Sequence, residues 1–248
     1  METIQSVPIE NIFIPTRRWK KRWRRFLRLI PISVGLCLAS CGKSIQCPSA
    51  GFGGDLEVNR LKNRTVPPDT LTEMTSAQFL VNFTPDFHTP KEHDEFNREQ
   101  RDSIEPRERM GLALTGYLVD AFSAFPELSN CLDPEDEDWH LNLYPSIPDT
   151  SAKKDSLVAG SIVTEVSPRW QDMRKGLWSL DTLKSLAQRR TLVRISGWAM
   201  YDPEHPDHLN RLRATLWEIH PITGIDYWNG SAWVPLGTVN NPVAFEPH

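Results

Sequence analysis

Residues 215–226 read TLWEIHPITGID. In an extended chain, successive side chains point to opposite faces. Trp217 and Ile219 then share one face, and Glu218 and His220 share the other. An apolar face alternating with a polar one reads as a half-buried strand. The chain carries five such runs: LALTGYLV (112–119), WHLNLY (139–144), SLVAGSIVTEVSP (156–168), TLVRISGWAMYD (191–202) and RATLWEIHPI (213–222). β-branched and aromatic residues support each of them. One segment, SLDTLKSLAQRR (179–190), reads as a helix instead. It opens on a Ser or Asp cap and puts Leu180, Leu183, Leu186 and Ala187 near one face.

Five strands with a helix before the fourth predict a mainly β domain over 110–238, a small five-stranded OB-like barrel. An immunoglobulin-like sandwich needs more strands and has no use for the helix. Gly116, Gly160 and Gly197 punctuate the strands, as bulges or bends in a small barrel require. Asn229-Gly230, between DYW and SAWVPL, predicts a type I′ hairpin turn. Of the seven Trp residues in this region (139, 170, 178, 198, 217, 228 and 233), most are expected in the core. One or two are left to form a stacking platform.

The flanks read differently. Residues 17–28, RRWKKRWRRFLR, are a dense cationic run, and residues 29–40, LIPISVGLCLAS, are apolar. Twelve residues fall short of the roughly 20 that a spanning helix needs. A basic run, a short apolar core and small residues at its end are the parts of a secretory signal. Residues 1–40 are therefore expected to be a signal segment, 41–70 a flexible tether and 239–248 a tail. Residues 71–109 read as a charged, partly ordered lead-in.

Leu38-Ala39-Ser40-Cys41 resembles the lipobox of bacterial lipoproteins. That resemblance implies lipidation of Cys41 and anchoring in the cell envelope. Gly42 after the Cys implies the outer membrane rather than the inner one. The block from about 110 to 236 also resembles an uncharacterised family of bacterial secreted or lipid-anchored domains. The resemblance rests on Asp138-Trp139-His140, Glu165-Val166-Ser167-Pro168-Arg169, Arg194-Ile195-Ser196-Gly197-Trp198, Asp202-Pro203-Glu204-His205-Pro206 and Trp217-Glu218-Ile219-His220-Pro221, with Gly116-Tyr117 and Cys131. It implies a domain and no activity.

The whole chain of 248 residues has a formal net charge of -4. Residues 1–40 hold eight Lys/Arg and two Glu, so the remainder carries 20 basic and 30 acidic residues, net -10. A polyanion meets a repulsive field, which argues against nucleic acid as a partner. With Cys41 lipidated and Cys37 removed, Cys47 and Cys131 remain. They can form a disulfide in an oxidising compartment, or stay apart if Cys47 is too mobile in the tether.

Alternation places Asp138 and His140 on one face of their strand, as it does Glu218 and His220. The Pro-bounded run DPEHPDH adds Asp202 and His205, and Arg213 precedes the last strand. Two readings follow. In the first, these residues form a structural or ligand-binding polar cluster, with Glu218 and His220 reaching His205 or Arg213. The domain is then a non-enzymatic envelope module that binds a protein partner or small ligand and needs no cofactor. In the second, His140, His205, Glu218 and His220 supply ligands to a divalent metal such as zinc, and a metal-bound water hydrolyses a phosphoester. The chain has no HExxH, CxxC, GxSxG or phosphate-cradling Gly loop, which favours the first reading and leaves catalytic residues unassigned.

Overall fold

The computed structural model describes residues 47–83 and 89–237. The proposed lipidation site Cys41, the signal segment and the C-terminal tail lie outside the described residues. Seven strands and six α-helices follow in chain order among the described residues: α1 (Leu56–Lys62), β1 (Thr72–Thr75), α2 (Ser76–Asn82), α3 (Arg98–Glu108), β2 (Gly111–Ser123), β3 (Trp139–Tyr144), α4 (Lys154–Ala159), β4 (Ile162–Val166), α5 (Pro168–Met173), α6 (Leu180–Gln188), β5 (Leu192–Tyr201), β6 (Trp217–Trp228) and β7 (Trp233–Pro235).

Five of the strands close a barrel. β2 pairs antiparallel with β3, β3 with β4, β5 with β6, and β5 back onto β2. The remaining seam is parallel, between β4 and β6 at Thr164 and Ile219. β2 can serve both ends of the closure because it is long. Gly111–Tyr117 face β5, and Tyr117–Ser123 face β3. The two outer strands extend the sheet: β1 lies parallel to β2 and β7 antiparallel to β6. The barrel is thus closed and five-stranded as the sequence predicts, but the fold is mixed α/β rather than mainly β.

Leu112, Leu114, Leu118, Leu141, Leu143, Ile162, Val193, Ile195, Trp217 and Ile219 fill the interior. β6 carries its alternation through a break at the cis His220–Pro221 peptide. The register with β5 shifts on both sides of Gly197. A Cβ there would lie 2.4 Å from the Pro221 carbonyl oxygen, so only glycine lets the two strands approach. α6 forms where expected. The Ser179 Oγ accepts from the Thr182 amide at 3.2 Å, and Leu183, Leu186 and Ala187 are buried.

Three local expectations are corrected. SLVAG is not the start of a strand but part of α4, ended by Gly160, because a short apolar run fits helix and strand equally. The Asn229-Gly230 turn is longer than two residues: Trp228 pairs with Trp233, and Asn229 Oδ1 accepts from the Ser231 and Ala232 amides. There are six α-helices rather than one. Most of the additional ones bury only one or two side chains, such as Leu157 on α4 or Ile104 on α3, which leaves little periodic signal to read.

Residues 47–70, read as part of a tether, carry α1 and attach to the barrel along their length. The Trp170 indole N–H donates to the Arg64 carbonyl at 2.9 Å, and the Trp198 indole N–H to that of Val66 at 2.9 Å. Arg169 donates to Asn63 Oδ1 at 2.9 Å and to the Cys47 carbonyl at 2.6 Å. Cys47 and Cys131 are joined by a disulfide that spans 84 residues. His93 adds a second tie: its imidazole lies 3.2 Å from Asp55 and 3.0 Å from Glu108 in a buried triad.

Closing a loop of that length in the unfolded chain removes entropy worth on the order of 4–5 kcal/mol. Cys131→Ser is therefore expected to lower the urea midpoint markedly, and a chain starting at residue 105 to melt well below the full-length protein. Equal midpoints would show that residues 47–104 contribute nothing to the folded state.

Candidate functional site

The polar side chains come from outward-facing positions on three adjacent strands. On β3, Leu141 and Leu143 point into the core, so His140 points out, with Asp138 just ahead of the strand. On β4, Ile162 and Val166 point in and Glu165 out. On β6, Trp217 and Ile219 point in, and Glu218 and His220 out. Register then brings them together. His140 pairs with Glu165 across β3–β4, and the β4–β6 seam sets Glu165 beside Glu218 and His220. An outward position on a barrel normally meets water, yet Asp138, Glu165, Glu218 and His220 are all buried. α1, the short turn Leu128–Asn130 and the 202–216 connection cover them.

One chain of contacts runs through the cluster. Arg213 donates to Asp202 Oδ2 at 2.7 Å and to Glu218 Oε2 at 3.0 Å. His205 Nδ1 lies 2.9 Å from the same Asp202 oxygen. His220 Nδ1 stands 3.3 Å from Glu218 Oε1 and 3.1 Å from Glu165 Oε2. Glu165 Oε1 is 3.1 Å from His140 Nε2. On its other side, His220 Nε2 faces Asp138 Oδ1 at 3.7 Å, and Asn130 donates to Asp138 Oδ2 at 2.8 Å. From α1, Lys62 donates to Glu127 at 2.8 Å and lies 3.9 Å from Glu204.

Burial disfavours every charge here, and the neighbours decide which charges survive. Burial opposes the His220 imidazolium, but the Glu165 charge and the hydrogen-bonding carboxylates of Glu165 and Glu218 carry its pKa up to about 10. Burial likewise opposes a charged His140, and Glu165 raises it. The two imidazoles together overcome burial and hold Glu165 well below the usual carboxylate range. Burial pushes Asp138 up to about 7, against the pull of His220. Burial and the Glu165 charge raise Glu218. For Asp202, burial is overcome by Arg213 and His205, and its pKa falls. Lys62 is held charged against burial by Glu127 and the acids beyond it.

All seven residues nominated from sequence, Asp138, His140, Asp202, His205, Arg213, Glu218 and His220, belong to this one network. Glu218 reaches Arg213 directly and His205 through Asp202. The proposed ligand set does not meet at a point. Among the described residues, the triads of donor atoms that converge within 4.8 Å are Asp138/Glu165/His220, Glu127/His140/Glu165 and Asp202/Glu204/His205. His205 thus stands apart from His220, and Glu218 enters none of the three. The hub, Glu165, escaped the sequence reading as a site residue although it stands in the EVSPR motif. Lys62, Glu127 and Asn130 escaped it too, because their segments carry no periodic pattern. Trp217, Trp170 and Trp178 are core, and Trp228 and Trp233 pack edge to face across β6–β7.

The pH dependence has a definite sign. Groups with raised native pKa values bind protons more tightly when folded, so their stability is present at low pH and lost as pH rises. For His220 that loss runs from the ordinary 6.5 up to about 10, and for Asp138 from 3.8 up to about 7. Glu165 and Asp202 act in the opposite sense: their stabilisation is present above the ordinary carboxylate range and lost as pH falls below it. Melting temperature is expected to peak in mildly acidic solution and to decline through the alkaline range, and Glu165→Gln to flatten the alkaline arm. A profile level from pH 6 to 10 would contradict the assignment. Lys62→Ala leaves Glu127 without its cation. Because Glu127 is part exposed, the expected loss lies at the low end of the roughly 3–5 kcal/mol for breaking a buried pair.

Compared with known proteins, the chain matches no family model, no curated protein and no solved structure.

Proposed function

We propose that the chain is a lipid-anchored module of the bacterial cell envelope that binds a protein partner or a small ligand without turning it over. The observation that carries this reading is the self-neutralised network. Its carboxylates meet the chain's own Lys62, Arg213 and imidazoles, and its central imidazole, His220, is 0% exposed. A catalytic acid or base must reach its substrate within hydrogen-bonding distance, and here the protein's own groups fill those positions.

The strand order and the parallel seam between the third and fifth barrel strands support an OB-like assignment, as does the helix α6 between the third and fourth. OB barrels bind ligands on the second and third strands and the loops after the first and fourth strands. The corresponding surface here is β3 and β4 with the 124–138 and 202–216 connections. α1 covers its centre. The accessible rim carries Glu127, Glu204, His205 and His140, a composition suited to a neutral or cationic group rather than to nucleic acid.

The basic run, the apolar segment and LASC support lipidation at Cys41, with the outer membrane favoured by Gly42. The Cys47–Cys131 disulfide fits an oxidising compartment. Among the described residues, no helix is long and apolar enough to cross a membrane. Fractionation tests the anchor: wild type is expected in the membrane fraction and Cys41→Ala in the soluble one. Wild type and variant both soluble would refute it.

One observation favours the second reading, a metal-dependent phosphoesterase. Asp138 Oδ1 and His220 Nε2, 3.7 Å apart, are buried without a hydrogen-bond partner, and buried polar atoms seldom stay so. Asp138, Glu165 and His220 offer one imidazole and two carboxylates, donors that suit a zinc-like ion, and they are the most buried of the three triads. Such an ion would displace the proton from the His220 imidazole, so its uptake must release acid. The binding-module reading predicts no stoichiometric metal in the purified protein and a melting temperature indifferent to chelator. A full equivalent of metal, with a lower melting temperature after chelation, would transfer the assignment to the second reading.

A further inference from the structure

The surface around the disulfide is apolar and exposed. Phe52 is 69% exposed, Leu128 41%, Leu132 54% and Phe125 89%. Phe52, Leu128 and Leu132 belong to adjoining backbone, and Phe125 stands three residues before Leu128 in the chain. The Phe52 amide donates to the Leu128 carbonyl at 2.9 Å, and the Leu132 amide donates back to Glu127 at 2.8 Å. A Cβ on Gly54 would touch Leu128 Cδ1 at 3.2 Å. The Cys47–Cys131 bond fixes both segments to each other. Single exposed apolar residues are ordinary, whereas a contiguous group marks an interaction surface.

Chain length limits what can cover this group. Cys41 is only six residues from Cys47, and six extended residues reach about 20 Å. If acyl chains on Cys41 sit in a bilayer, the disulfide and its apolar surroundings are held within that distance of the headgroups. We infer that Phe52, Phe125, Leu128 and Leu132 form a membrane-docking face that seats the barrel against the lipid surface. The inference rests on the proposed lipid anchor. The two signals complement each other, since an acyl anchor alone fixes position but not orientation, and aromatic and leucyl side chains insert at the interface.

The flanking charge selects the lipid. Asp133, Glu135, Asp136 and Glu137 follow Leu132 directly, so an anionic surface is repelled and a zwitterionic one is the occupant. Docking also orients the module. β3 begins eight residues after Cys131 and runs to Tyr144, which leaves the exposed Ile147 at its far end, away from the bilayer.

The test uses the full chain, expressed with its own leader, purified from membranes and reconstituted into phosphatidylcholine vesicles whose acyl chains are brominated near the headgroup. Phe52→Trp and Ile147→Trp are compared with wild type, and both sites are exposed enough to accept the ring. The fluorescence added at position 52 is expected to be lost to bromine quenching, and that added at 147 to survive. Adding phosphatidylglycerol is expected to weaken the quenching. Mass spectrometry of the mature N-terminus separates the two possible failures. An acylated Cys41 with no quenching at 52, or equal quenching at both sites, overturns the docking face alone. An unacylated Cys41 overturns the anchor and the docking face together. Shielding of position 52 that depends on protein concentration and not on bromolipid assigns the face to a second copy of the chain and also overturns the inference.

Discussion

The contact between Arg213 and the two carboxylates Asp202 and Glu218 sets the terms for the rest of this structure. Arg213 is 3% exposed and Glu218 1%. Charges so deeply buried persist only when each has its partners, and removing one leaves the other strongly destabilising. Alternation puts Glu218 and His220 on the outside of the barrel, where a bare strand would leave them in water. The chain instead roofs them. α1 brings Lys62 into the network, the 124–138 connection brings Glu127 and Asn130, and the disulfide keeps the two pieces of roof together. The N-terminal segment is thus an integral wall of the site.

This arrangement explains a cluster rich in catalytic residue types without a catalytic layout. Glu165 lies between two imidazoles and raises the pKa of both, that of His220 to about 10. A protonated imidazole between carboxylates is a good electrostatic cross-link and a poor general base, because its proton is held far above neutral pH. Asp138 is the exception. Burial places it near neutrality, where it can exchange a proton with little cost. The metal reading gains its force there, and the two unpaired atoms that suggest an ion, Asp138 Oδ1 and His220 Nε2, would equally hold an ordered water.

Much of the barrel was legible because its strands alternate cleanly. WHLNLY appears in the structure with the same bounds as β3, and the Leu183, Leu186 and Ala187 face of α6 is the one read from spacing. Gly197 was read as a bulge and stands at one. The regions that resisted are those held by side-chain chemistry rather than by periodicity. α1 has seven residues, and its place depends on Lys62, Asn63 and Arg64 finding partners far along the chain. No local pattern encodes a partner 44 or more residues away. Glu165 was hidden for a related reason: every residue of β4 is buried, so a strand covered on both faces shows no sign of which polar residue has been roofed over. The His93 triad likewise joins three segments that look merely charged.

The central claim is that the segment bearing Lys62 and the barrel strand bearing Glu218 and His220 form one cooperative unit. Native-state hydrogen exchange of the oxidised full-length chain measures this directly, amide by amide. The account predicts that α1 amides near Lys62 exchange through the same global opening as β6 amides near Ile219, with equal opening free energies and equal response to denaturant. Exchange of α1 through a separate, low-energy opening while β6 stays protected would contradict it, and would leave the network as a barrel feature that the N-terminal segment merely touches.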